Sequence, residues 1–158
     1  MFKLCLLGLE NCLFDVSSIK GYDWYFQSDE ISSLGILDIS MSSILEKLTV
    51  NTNVESFVKN LTDKGSRCLC VSTQITNTRE SEYKKALDAR FSKGIDFMIV
   101  NNNRMKVSLY NTIIKYSGLQ PYQVLVIDSD KSIVSFFSDN GVFGYLPEDI
   151  KEGMSLGF

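Results

Sequence analysis

The stretch Val124-Leu125-Val126-Ile127-Asp128-Ser129-Asp130 decides how this chain is read. Four apolar residues in a row suit a short strand buried on both faces. A helical pattern follows at once, with Ile133, Val134, Phe136 and Phe137 as its apolar positions. Asp128 therefore closes a buried strand just before a helix. Ligands of open α/β sheets gather at the carboxyl ends of strands, so an acid there is placed for chemistry.

Working outward, the same alternation recurs. Phe2 to Leu7 reads as a first buried strand, ending in Gly8-Leu9-Glu10-Asn11-Cys12-Leu13. A polar and aromatic loop from Ser17 to Ser33 holds Tyr22, Trp24, Tyr25 and Phe26. Met41, Ile44, Leu45 and Leu48 have helical spacing within Ser40 to Leu48. Thr52 or Asn53 can cap a further helix with Val54, Phe57, Val58 and Leu61 inward and Gly65 as its stop. Arg67 to Val71 reads as a second strand ending in Ser72-Thr73, and Arg79 to Ser92 as a charged amphipathic helix burying Tyr83, Ala86, Leu87 and Phe91. Asp96 to Val100 is a third strand, followed by a polar turn, Asn101-Asn102-Asn103. Lys106 opens a helix to Tyr116 that buries Val107, Leu109, Tyr110, Ile113 and Ile114. After the strand Gln123 to Ile127 and its helix, Val142 to Leu146 makes a short last strand. The tail after Asp149 is expected to be loosely held.

Strands alternating with helices imply βαβ units and a parallel sheet covered on both faces. Right-handed crossovers then bring Gly8 to Glu10, Ser72-Thr73, Asn101 and Asp128 to one edge. The expected architecture is a three-layer Rossmann-like α/β domain spanning residues 1–158, with minimal or no cap.

At 158 residues the chain can bury a full core without staples. Its net charge of −3 disfavours a nucleic-acid partner, which needs a basic face. There is no histidine. That removes Ser-His-Asp and Cys-His catalysis and leaves acid–base work to carboxylates, lysine or tyrosine. Cys5, Cys12, Cys68 and Cys70 lack zinc-ligand spacing. They read as buried free thiols, which suits a reducing, cytoplasmic setting. The first apolar run is too short to span a membrane and lacks a cleavage site, so it reads as a core strand rather than a signal peptide. Export by a route without a signal stays open.

The Gly8 to Leu13 segment, Ser72-Thr73, Lys106 and the Asp128 stretch together resemble the haloacid-dehalogenase-like (HAD-like) hydrolases, over about Phe2 to Leu146. The short match Gly94-Ile95-Asp96-Phe97 resembles one branch of them. In that family the first strand ends in D-x-D-x-T. Its first aspartate attacks phosphorus, its second is the acid–base, and both help bind magnesium. The resemblance implies that Ser72 or Thr73 and Lys106 hold phosphate, with Arg79 as a further anion contact. It implies metal ligands at Glu10, Asp128 and Asp130. The chain departs from the pattern with Gly8 at the nucleophile, Glu10 at the acid–base and Cys12 at the threonine.

Glycine cannot attack phosphorus, and covalent phosphoryl transfer needs that carboxylate. A displacement of about 1 Å can cost a hundredfold in rate, so the longer Glu10 is a poor substitute. The residues weigh against an enzyme and toward a pseudo-phosphatase that binds a protein or a phosphorylated ligand, with no magnesium or only weak binding. The alternative is a magnesium-dependent phosphatase rearranged around Glu10 and Asp128, with Glu10 and Lys106 catalytic. Tyr22, Trp24, Tyr25 and Phe26 read either as a lid on the core or as anchors for a protein partner. Lys84-Lys85 with Glu80 and Glu82 reads as a solvated helix face. The three acids Glu10, Asp128 and Asp130 read as a solvated cluster at a loop edge if no metal joins them. A receiver-like or flavodoxin-like α/β fold is the rival architecture, and strand order separates the two.

Overall fold

The computed structural model describes residues 2–16, 49–73, 80–91 and 94–154. The aromatic segment Tyr22 to Phe26, the helix expected over Ser40 to Leu48, and Thr76-Asn77-Thr78-Arg79 lie outside the described residues. In chain order the elements are β1 (Leu4–Gly8), β2 (Phe14–Asp15), β3 (Thr49–Val50), α1 (Thr52–Asp63), β4 (Arg67–Ser72) and α2 (Glu80–Arg90). They continue with β5 (Asp96–Ile99), α3 (Asn103–Ser117), β6 (Val124–Ile127), α4 (Lys131–Asp139) and β7 (Phe143–Tyr145).

Five strands form one sheet in the order β5-β4-β1-β6-β7, every pair parallel. Counting only those strands, the order is 3-2-1-4-5. That is the Rossmann-type order and not the 2-1-3-4-5 of flavodoxin-like folds, so the rival architecture falls. The chain lays strands to one side of β1, then crosses to the other. The switch point lies between β1 and β6, and crevices for ligands open there, beyond the carboxyl ends.

The sheet is buried on both faces. Cys5 and Leu7 of β1, Cys68 and Cys70 of β4, Leu125 and Ile127 of β6 pack under α1 and α2, which contribute Val58, Leu61, Tyr83 and Leu87. Leu4, Leu6, Leu69, Val71, Val124 and Val126 face α3 and α4, which contribute Tyr110, Ile133 and Phe137. All four cysteines are buried and free. Cys5 and Cys68 are register partners on neighbouring strands. The hydrogen bond between their side chains, more than burial, pushes the Cys5 thiol well up.

Several boundaries differ from the sequence reading. Asn51, not Thr52 or Asn53, caps α1, its side chain accepting from the Val54 N–H at 3.1 Å. Asn102 caps α3 from inside the expected polar turn, accepting from the Met105 N–H at 2.9 Å. The helix therefore begins at Asn103, and Lys106 sits within its first turns rather than opening it. Only Lys106 and Tyr110 of α3 are fully buried; Val107, Leu109, Ile113 and Ile114 are half-buried, because one helix cannot turn every apolar residue toward a flat sheet. Phe136 is 42% exposed beside buried Phe137. The small antiparallel pair β2 and β3 had no sequence signal at two residues a strand. The described part of the tail after Asp149, residues 150–154, is held: Ile150 is buried in the core and Met154 packs against it.

Candidate functional site

The switch point places Gly8, at the end of β1, beside Asp128, just past β6. A Cβ built on Gly8 would lie 2.9 Å from the Asp128 Oδ2 and 3.3 Å from its Cγ. The carboxylate thus fills the space where a side chain at position 8 would start. It is held there. Lys106 Nζ donates to Asp128 Oδ2 at 3.0 Å, and the Asp130 N–H donates to Oδ1 at 3.0 Å. Lys106 and Asp128 are 5% and 1% exposed, so this is a buried ion pair and not a solvated acid.

Glu10 is brought in by a tight turn. Asn11 adopts a left-handed conformation (φ 55°), which asparagine tolerates, and Phe14 N–H returns to the Leu9 carbonyl at 3.1 Å. Glu10 is consequently buried and accepts a hydrogen bond from the Ser72 hydroxyl at the end of β4. Burial pushes its carboxyl above the usual carboxylate range, against the opposing pull of Ser72, the backbone and Lys106. Ser129 donates from its hydroxyl to the Glu10 carbonyl at 3.3 Å.

Asp130 does a helix's work. Its side chain caps α4, accepting from the Ser132 N–H at 2.8 Å and the Ser132 hydroxyl at 2.6 Å. Its other oxygen accepts from Asn103 Nδ2 at 2.8 Å, which ties α4 to the start of α3. The Ser132 hydroxyl is the main reason its carboxyl lies below the ordinary range.

The expectation of a solvated acid cluster at the edge is therefore corrected for Glu10 and Asp128. The expected metal cage fares no better. Among the described residues no group of three or more His, Cys, Asp or Glu is placed to hold a metal ion. Both oxygens of Asp128 and of Asp130 accept from protein donors: Lys106 and the Asp130 N–H for the first, Ser132 and Asn103 for the second.

Of the expected phosphate contacts, the structure brings Ser72 and Lys106 to the same edge but commits each to a carboxylate. Thr73 is half-buried beside them. Arg79 is outside the described residues. The sequence reading missed Ser129, Ser132 and Asn103. An aspartate directly before a helical pattern was the available sign that Asp130 is a cap. Nothing local marks Ser129 or Asn103, whose partners lie 119 and 27 residues away.

No family model matches the sequence, and no curated protein matches it either. Solved structures do match. The N-terminal part of a Bacteroides fragilis protein containing a phosphatase domain, complexed with magnesium, superimposes with a TM-score of 0.56 at 17% identity. That match covers 96% of this chain and 39% of the other. A HAD family enzyme of Bacteroides thetaiotaomicron, in complex with magnesium and inorganic phosphate, gives 0.54 at 13% identity over 99% and 98% of the two chains.

The chain has a HAD-like fold.

CbbY of Rhodobacter sphaeroides, in complex with phosphate, gives the same TM-score of 0.54 at 8% identity, over 99% and 91%. Identities this low carry the HAD-like fold and not the chemistry, because function lives in the site. Among the described residues no helix is long and apolar enough to cross a membrane.

Proposed function

We propose that this HAD-like domain does not hydrolyse phosphate esters and acts by binding. One observation carries the reading: the Asp128 carboxylate, paired with Lys106, occupies the position from which a side chain at residue 8 would project. The nucleophile is not merely absent; its space is used. Lys106, the group expected to steady phosphoryl charge, is neutralised by that same carboxylate. Ser72, the expected phosphate hydroxyl, serves Glu10.

A phosphorylated ligand would have to compete with Asp128 for Lys106 and with Glu10 for Ser72. This supports a protein partner over a phosphorylated small molecule. The aromatic residues Tyr22, Trp24, Tyr25 and Phe26 are candidate anchors for such a partner, since aromatic side chains concentrate binding energy at interfaces.

The test is hydrolysis of a generic aryl phosphate with and without magnesium, with Glu10→Gln and Asp128→Asn as controls. The expected result is no turnover above the two variants. Magnesium-dependent turnover that vanishes in both would replace this reading with a phosphatase rebuilt around Glu10 and Asp128.

A further inference from the structure

A pair of thiols lies near the amino ends of the strands, away from the carboxylates. Cys5 of β1 and Cys68 of β4 are register partners on neighbouring parallel strands. Residues paired in this way sit about 4.8 Å apart, the spacing of adjacent strands. A disulfide spans Cα separations of about 4.4–6.8 Å. Both side chains pack into the same layer, under α1 and α2. They are already hydrogen-bonded to each other. The sheet itself therefore supplies the backbone separation that a disulfide needs.

The other two thiols are placed differently. Cys70 stands in register with Leu7, an apolar partner. Cys12 lies beyond β1 and donates from its Sγ to the Ile127 carbonyl at 3.5 Å. A thiol sealed among apolar groups is inert, because its thiolate is disfavoured there. Cys68 is not sealed in that way. Among the described residues it lines a cavity of about 250 Å³ together with the polar side chains of Ser66, Arg67, Lys84 and Asp96. It is 3% exposed, whereas Cys5 and Cys70 are at 0%. A small oxidant in that cavity meets Cys68 first, with Cys5 next to it on β1.

We propose that Cys5 and Cys68 form a redox site, converted to an intrachain disulfide by a small peroxide and restored by a thiol reductant. The Cys68 sulfur attacks one peroxide oxygen and the O–O bond breaks. The departing hydroxide takes the thiol proton and leaves as water, so Cys68 becomes a sulfenic acid. The Cys5 sulfur then attacks the Cys68 sulfur and the S–O bond breaks. That hydroxide takes the Cys5 proton and leaves as a second water. In sum, two thiols lose two hydrogens and the peroxide is reduced to two waters. A thiol reductant reverses the bond by exchange. The hydrogen bond to Cys68 keeps Cys5 protonated, which leaves the first attack to Cys68. The bond ties β1 to β4 and closes the chain between residues 5 and 68, the stretch that carries Tyr22 to Phe26. Closing so long a loop constrains the unfolded chain and stabilises the fold. Glu10 and Ser72 meet at the other end of these strands, so the proposal holds whether or not that site turns over substrate.

The test treats the intact chain with hydrogen peroxide well below its melting temperature. Remaining thiols are then alkylated and cross-linked peptides are mapped by mass spectrometry. The Cys5–Cys68 pairing is expected to outnumber any other about tenfold, because it alone joins register partners. Dithiothreitol should remove it. The oxidised chain should melt about 5 °C or more above the reduced one. Cys5→Ala and Cys68→Ala should each abolish that rise, and Cys70→Ala should keep it; the mapping of the unaltered chain decides even where a variant folds poorly. No cross-link, a different pairing, or Cys68 oxidised beyond sulfenic acid without a cross-link overturns the proposal. So does a cross-link that forms only as urea unfolds the chain, since the pairing would then belong to the unfolded state.

Discussion

Asp128 and Lys106 lie 3.0 Å apart with almost no exposure, so neither charge has water to fall back on. Removing one partner of such a pair leaves the other uncompensated, which typically costs on the order of 3 kcal/mol or more. Asp128→Asn should therefore lower unfolding free energy by about that amount in urea titrations, and a change below about 1 kcal/mol would mean that the pair is not structural. Gly8→Asp tests the same space from the other side. Its Cβ would meet Asp128 Oδ2 at 2.9 Å and bring a second buried negative charge. Overpacking alone costs about 1–3 kcal/mol, so the variant should melt earlier and still fail to hydrolyse an aryl phosphate. Glu10 gives a pH signature. The folded chain keeps its proton to a higher pH than the unfolded chain does, because burial disfavours the carboxylate. More protons are then bound in the folded state across that window, so stability falls as pH rises from the ordinary glutamate pKa through the raised value. Glu10→Gln should flatten this decline in urea unfolding measured upward from the ordinary glutamate pKa; an unchanged slope would show that burial of Glu10 does not govern it.

At the scale of elements, α3 is the member whose sequence and structure disagree most usefully. Its apolar pattern marks a helix correctly, yet the two residues it buries fully are Lys106 and Tyr110, four apart and on one face. Lys106 is tolerated there only because Asp128 meets it from β6. Tyr110 is tolerated less well: its hydroxyl is buried with no hydrogen-bond partner among the described residues, while the ring packs 5.8 Å from Phe137. An unsatisfied buried hydroxyl costs about 1–3 kcal/mol. Tyr110→Phe keeps the ring and removes the hydroxyl, so it should raise the melting temperature; a lower one would mean that the hydroxyl has a role in the folded state. The caps show what local sequence can and cannot say. Asparagines at 51 and 102 are strong capping residues, but the apolar spacing alone fixes a helix end only to within a residue or two.

For the whole molecule, topology is what turns scattered residues into a site. Strand order 3-2-1-4-5 brings the end of β1 against the end of β6, more than a hundred residues later in the chain. The same arrangement satisfies the carboxylates internally, and that has a global consequence. Millimolar magnesium or inorganic phosphate should leave the melting temperature unchanged, since a ligand stabilises only by binding the folded state. A concentration-dependent rise would reveal a site that the present hydrogen bonds yield to. Much of this architecture was legible beforehand. Apolar runs of four to six residues, each followed by a helical period, specify buried parallel strands and helices on both faces, because only that layering buries every run. That position 8 has no side chain to offer was equally plain, since it is a glycine. What the sequence could not state was the fate of the remaining acids. Glu10, Asp128 and Asp130 look alike in a string of letters, as three carboxylates at strand ends. Only the fold makes the first a buried acceptor for Ser72, the second an ion-pair partner of Lys106 and the third a helix cap. Burial and hydrogen-bond partners are set by residues distant in the chain, and local pattern carries no record of them.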